Sequence, residues 1–179
     1  GAQLRGSPLF LRRVLLLLAE CADGLAVVHA SDVVHRDVKP ANILVDGELK
    51  PTLIDFGFAR EWDPASDLTM SGVAIGTLSY MAPEQVSSKA GAISGATDTY
   101  ALGLVLYRAL VGRLPHAQLE ELASTRRRQI RLQPEDKQRI PRPVVAVLER
   151  ALQRDPRRRY HAAADMAQHL RDAAAGKDV

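Results

Sequence analysis

The sequence predicts a mainly α fold with one small β-hairpin. A leucine-rich stripe repeats at helical spacing near the start, an Asp46-Gly47 pair separates two short apolar runs, and amphipathic stretches follow residue 97. At 179 residues the chain makes one ordinary domain, large enough to bury its own core. Hydrophobic residues make up 46% and aromatic ones only 4%, so Leu, Val and Ala must build most of that core.

Leu11, Leu15, Leu18, Ala22, Leu25 and Val28 recur at steps of three and four. They form the apolar face of an amphipathic helix running from about Pro8 to Ala30 and ended by Ser31-Asp32. Short apolar pieces follow at Val33-Val34, Ile43-Leu44-Val45 and Leu53-Ile54. The first reads as a short strand, and Asp46-Gly47 turns the other two into a hairpin. Residues 56 to 82 are rich in Gly, Pro, Ser, Thr and Asp without periodicity, and a loop that long in a compact domain is usually functional. Thr97 to Val111 is a strongly apolar helix with Gly112 as its C-cap. Leu119–Ile130, Pro141–Gln153 and His161–Ala173 are further amphipathic candidates, with Pro141 in a first turn and Asp155-Pro156 as a break.

Composition excludes several function classes. A net charge of +3, from 24 basic and 21 acidic residues, makes no case for nucleic acid. Arg126-Arg127-Arg128 and Arg157-Arg158-Arg159 read as solvated helix ends or structural ion pairs. Cys21 is the single cysteine, so no internal disulfide forms; it reads as a small core residue and fits a reducing, cytoplasmic setting. Val14 to Ala19 follows Arg12-Arg13 but is far too short to span a membrane, and no cleavage site follows it, so no targeting or membrane segment is read here. His29, His116, His161 and His169 show no spacing for a transition metal.

The chemistry concentrates in His35-Arg36-Asp37-Val38-Lys39-Pro40-Ala41-Asn42 and, about a dozen residues on, Asp55-Phe56-Gly57. Phosphoryl transfer needs a group that orients or deprotonates the attacking hydroxyl, cations that neutralise phosphates, and ligands for those cations. Asp55 and Asn42 supply the hard oxygens that magnesium takes. The two motifs resemble the catalytic loop and magnesium loop of protein kinases, and their joint occurrence is far more specific than a lone Asp-Phe-Gly. The resemblance implies ATP and magnesium as cofactors and a protein Ser/Thr hydroxyl as acceptor. It implies that Asp37 accepts the substrate proton, Lys39 stabilises the transferred phosphoryl, Asn42 and Asp55 hold the metal ions, and Leu44 lies under the adenine. Lysine two places after Asp37 is typical of the Ser/Thr class. His35, Phe56 and Gly57 are implied to be structural.

The rest of the chain carries the same resemblance as far as about Ala173. Gly76 to Glu84 resembles the end of a kinase activation segment, making 55–84 that segment and Thr77 a substrate-positioning residue. Thr97 to Gly103 resembles the buried helix that supports the catalytic loop, with Asp98 structural. Asp155 to Tyr160 resembles the late motif whose arginine pairs with the Pro-Glu glutamate, so Glu84 and Arg159 are expected to form an ion pair. His116 departs from the family, which usually has Phe there. Arg36 before Asp37 implies regulation by phosphate on Thr69 or Ser71, whose spacing resembles bacterial members; solvated hydroxyls are the alternative.

Only 34 residues precede His35, with no glycine-rich phosphate loop and no Val-Ala-Ile-Lys-like strand. Of Lys39, Lys50, Lys89, Lys137 and Lys177, none lies in a strand before the catalytic loop. Gly91 and Gly95 flank Ala-Ile-Ser without strand-loop-strand context. The resemblance is therefore to a kinase C-terminal lobe with the N-terminal lobe absent from these residues. Three readings follow: a piece of an active Ser/Thr kinase, a lobe-deficient pseudokinase serving as a binding or scaffold module, or a split enzyme completed by an N-lobe or partner chain in trans. Alone, the chain is expected to transfer negligible phosphate.

Overall fold

A computed structural model describes residues 7–56, 79–86, 91–115 and 130–179. Gly57, Thr69, Ser71, Thr77, His116, Arg126 to Arg128 and nearly all of the helix expected over Leu119–Ile130 lie outside the described residues. Within them lie helices α1 (Pro8–His29), α2 (Pro83–Val86), α3 (Gly95–Val111), α4 (Pro134–Arg139), α5 (Arg142–Ala151) and α6 (Ala163–Ala174) and one hairpin, β1 (Ile43–Val45) and β2 (Pro51–Leu53), against which α1 packs.

The α1 helix begins where its chemistry says it should. The Ser7 hydroxyl accepts the Phe10 amide at 3.1 Å, and Pro8 fills the first turn without wasting a donor. Its stripe buries Leu15, Leu18, Ala22 and Leu25, while Leu11 packs at the edge. The most extensive partner of α1 is the last helix, α6, through the face carrying Met166 and Leu170; Arg171 reaches back to Asp23.

The α3 helix is buried from Ala96 to Tyr107 without a polar face, which makes it the central pillar of the domain. Gly103 lets α5 lie against it, since a Cβ there would sit 2.9 Å from the Cβ of Ala151. Gly112 ends it at φ 86°, a left-handed C-cap as expected.

The hairpin pairs Ile43 with Leu53, Leu44 with Thr52 and Val45 with Pro51, antiparallel. The Asp46 carboxylate caps its turn by accepting the Glu48 and Lys50 amides. Three expectations are corrected. Val33-Val34 is not a strand: with only two described strands, this piece has no ladder to join and leads from α1 to His35 as irregular chain. The helix expected from Pro141 starts one residue later, with Pro141 as its cap and Pro143 inside its first turn. Its end is Ala151 rather than Gln153. Among the described residues no helix is long and apolar enough to cross a membrane.

All four tyrosines are buried in the core. Burial, and then the hydrogen bond to Asp136, push the Tyr107 phenol up to about 12. Burial pushes the Tyr160 phenol up to about 12, against the pull of Arg150. An unfolded phenol ionises near about pH 10, so above that pH the unfolded state binds fewer protons and stability falls. In a spectrophotometric titration both phenols should stay protonated at about pH 11 and ionise only as the chain unfolds. Complete phenolate formation with the fold intact would contradict this.

Candidate functional site

The site is built on the N-terminal turn of α3. Asp98 is almost fully buried there, and its carboxylate reaches out to the segment after α1. It accepts the His35 amide at 2.8 Å and the Arg36 amide at 2.8 Å, one on each oxygen. His29, at the end of α1, adds its Nε2 at 2.7 Å. The anion explains an otherwise costly backbone. Arg36 has φ 66°, a left-handed conformation that a side chain disfavours, and two charge-assisted hydrogen bonds at the bend offset that cost.

His35 is fully buried and acts as a spacer. Its Nε2 faces the Ile54 carbonyl at 3.1 Å and its Nδ1 accepts the Asp37 amide at 3.3 Å, which assigns the ring proton to Nε2. Phe56 stacks on the ring with centroids 4.4 Å apart. One imidazole thus ties the loop carrying Asp37 to the strand end carrying Asp55.

Asp37, Lys39 and Asn42 come together as one group. Lys39 Nζ donates to Asp37 Oδ2 at 2.8 Å, and the Asn42 amide nitrogen donates to the same oxygen at 3.1 Å and to the Asp37 carbonyl at 2.8 Å. Asn42 ends a short 3-10 turn, Pro40–Asn42, and is buried, while Asp37 and Lys39 are partly open at 16% and 17% side-chain exposure. The Asp37 carboxylate is thereby held with Oδ1 as its remaining acceptor. Asp55 follows the hairpin. The Ile54 amide bonds to the Asn42 carbonyl at 3.0 Å, so the ladder sets Asp55 beside the 40–42 turn. Asp55 is exposed, has φ 55°, and has no ion-pair partner among the described residues. An exposed carboxylate and an amide oxygen from a facing loop are the hard donor set that magnesium prefers, and two protein ligands suffice for it. Leu44, on β1, is 54% exposed, beside exposed Val45 and Leu49.

The Glu84–Arg159 pair expected from the sequence is formed, and both side chains are completely buried. Arg159 donates to both Glu84 oxygens at 2.6 and 2.9 Å, to the Ala96 carbonyl at 3.1 Å, to Gln153 at 2.6 Å and to Arg154 at 2.9 Å. These bonds occupy all five donors of a guanidinium. Thr97 Oγ1 donates to Glu84 at 2.9 Å, so the pair is fastened to the same first turn of α3 that carries Asp98.

Two residues of this network were not singled out in the sequence. His29 reads there only as a histidine without metal spacing. Gln85 donates to the Arg36 carbonyl at 2.7 Å across 49 residues of chain, a separation at which no local pattern could have signalled it.

A family model described as "Protein kinase domain" matches residues 8–170. The chain is 38% identical over 170 residues to serine/threonine-protein kinase PkaA of Streptomyces coelicolor, covering 92% of this chain and 30% of that protein. It is 37% identical over 163 residues to serine/threonine-protein kinase Pkn1 of Myxococcus xanthus, covering 87% and 23%. To serine/threonine-protein kinase PknB of Mycobacterium tuberculosis it is 31% identical over 168 residues, covering 91% and 26%. The chain thus spans less than a third of the length of these curated relatives.

Proposed function

Because this chain belongs to the protein kinase family, most similar to bacterial serine/threonine members, we propose that it forms the catalytic C-terminal lobe of a protein Ser/Thr kinase. In this reading residues 35–42 are the catalytic loop and 55–84 the activation segment. The observation that carries it is the Asp37 carboxylate, held by Lys39 and Asn42 in a loop whose backbone is pinned by buried Asp98.

The acceptor hydroxyl of a Ser or Thr side chain would approach Asp37 Oδ1, which would orient it and take its proton as the new P–O bond forms and the bond from the γ-phosphorus to the bridging oxygen breaks, with ADP leaving. Lys39 is hydrogen-bonded to Asp37 and partly open, and its charge would offset the negative charge that grows on the transferring phosphoryl. Asn42 and Asp55 would hold magnesium, which when bound neutralises the phosphates of ATP. Leu44 offers an open apolar surface for adenine. Arg36 would pair with a phosphate on Thr69 or Ser71 to order the activation segment, Thr77 would position the substrate, and Gly57 would give the turn after Phe56. The N-lobe that covers the nucleotide would come from a longer chain or from a partner in trans.

The test uses the longest protein that contains this chain, supplied with MgATP and a Ser/Thr peptide. Phosphate transfer should fall about 10²- to 10⁴-fold in Asp37→Asn, while residues 1–179 alone transfer almost none. A longer protein that binds partners but transfers no phosphate would replace this reading with a scaffold.

A further inference from the structure

Arg36 is held from two sides. Its amide is bound by Asp98, and its carbonyl accepts from the Gln85 side chain at 2.7 Å. Gln85 is itself anchored. Its Oε1 accepts the Ala82 amide at 2.9 Å, and its own amide donates to the Ala82 carbonyl at 3.0 Å. The neighbouring residue is Glu84, locked in the buried pair with Arg159 and bonded to Thr97. A closed circuit results. The first turn of α3 grips the Arg36 amide directly through Asp98, and grips the Arg36 carbonyl indirectly through Thr97, Glu84 and Gln85. The residue between the two grips has the left-handed φ of 66° and is followed immediately by Asp37.

From this we infer that Gln85 is a positioning residue: its amide N–H fixes the plane of the Arg36–Asp37 peptide and so aims the Asp37 carboxylate. The inference rests on the reading of Asp37 as proton acceptor. It couples the end of the 55–84 segment to the reacting group through one hydrogen bond. Any displacement of α2 is transmitted to the peptide that carries Asp37.

The two bonds of the Gln85 side chain can be separated chemically. Gln85→Ala removes both. Gln85→Glu keeps an acceptor for the Ala82 amide but has no proton for the Arg36 carbonyl at neutral pH. Amide hydrogen exchange read at Arg36 and Asp37 should accelerate about tenfold in both variants, the scale of one lost hydrogen bond. The melting temperature of Gln85→Glu should fall by no more than about 2–4 °C, the scale of one lost hydrogen bond in a domain this size. In the longer protein, kcat should fall by a similar factor with KM for ATP unchanged. Wild-type exchange rates in Gln85→Glu would overturn the inference, whatever Gln85→Ala does to folding. Faster exchange with kcat unchanged would also overturn it. A wild-type protein without phosphotransfer refutes the kinase reading and the catalytic consequence with it. The exchange comparison then still decides whether Gln85 holds the loop.

Discussion

Arg159→Ala should lower the unfolding free energy by about 3–5 kcal/mol. At the usual sensitivity of a domain this size, that is a fall in melting temperature on the order of 10 °C. The magnitude follows from what remains. Glu84 would be a buried carboxylate with Thr97 as its surviving donor in the network, and the carbonyls of Ala96, Gln153 and Arg154 would lose a donor together. Arg159→Lys should recover only part of the loss, because an ammonium has three donors and cannot fork across Glu84. Pairing Arg159→Ala with Glu84→Ala should cost less than the two single losses added, since the second change removes the stranded charge. Calorimetry of the wild type, the three single variants and the double variant checks this. A single-variant shift below about 2 °C would mean that the buried pair contributes little.

Asp98→Ala should loosen the loop that carries Asp37 more than any other single change at the site. It orphans the amides of His35 and Arg36 and the Nε2 of His29 in one step. Hydrogen bonds to a charged acceptor are worth about 1.5–3 kcal/mol each, without simple additivity. The left-handed bend at Arg36 would then stand without its offsetting anion. Asp98→Asn should be nearly as damaging. Both carboxylate oxygens accept from donors, so a carboxamide must turn its NH2 toward one of them. Exchange at the Arg36 amide should rise by at least about 100-fold in both variants. Protection kept in Asp98→Asn would show that one oxygen suffices and that the two-point grip is unnecessary.

Much of this architecture could be read from residues alone because its signals are local. The stripe from Leu11 to Val28 and the cap at Ser7 are sufficient for α1, and Asp46-Gly47 for the hairpin. Gly112 announces the end of α3 by being the residue that tolerates its φ. The α4 helix has end signals, with Pro134, Glu135 and Asp136 in its first turn and Lys137 and Arg139 in its last, but no apolar stripe. Pro-Glu-Asp-Lys-Gln-Arg carries no apolar periodicity, and it folds because Asp136 turns inward to Tyr107 at 2.5 Å and Arg113 at 2.8 Å, both distant in sequence. Gly95 is similar. Weighed as part of a phosphate loop, it is in fact the first residue of α3, where a Cβ would lie 2.7 Å from the buried His29 Nδ1. At the site, the resemblance of residues 35–42 to a protein kinase motif nominated Asp37, Lys39 and Asn42. Their mutual hydrogen bonds, and the anchoring by Asp98 and Gln85, depend on tertiary placement that spacing does not encode.

The pairing of α1 with α6 has a consequence for synthesis. A ribosome delivers α1 well before α6, so Leu15, Leu18 and Leu25 must wait for Met166 and Leu170 before their surroundings are complete. Contacts between opposite ends of a chain fold slowly, and an apolar helix without its partner invites association in the meantime. The nascent domain is thus a substrate for chaperones until α6 (Ala163–Ala174) emerges, and a stalled or clipped chain lacking α6 would expose the α1 face that α6 covers.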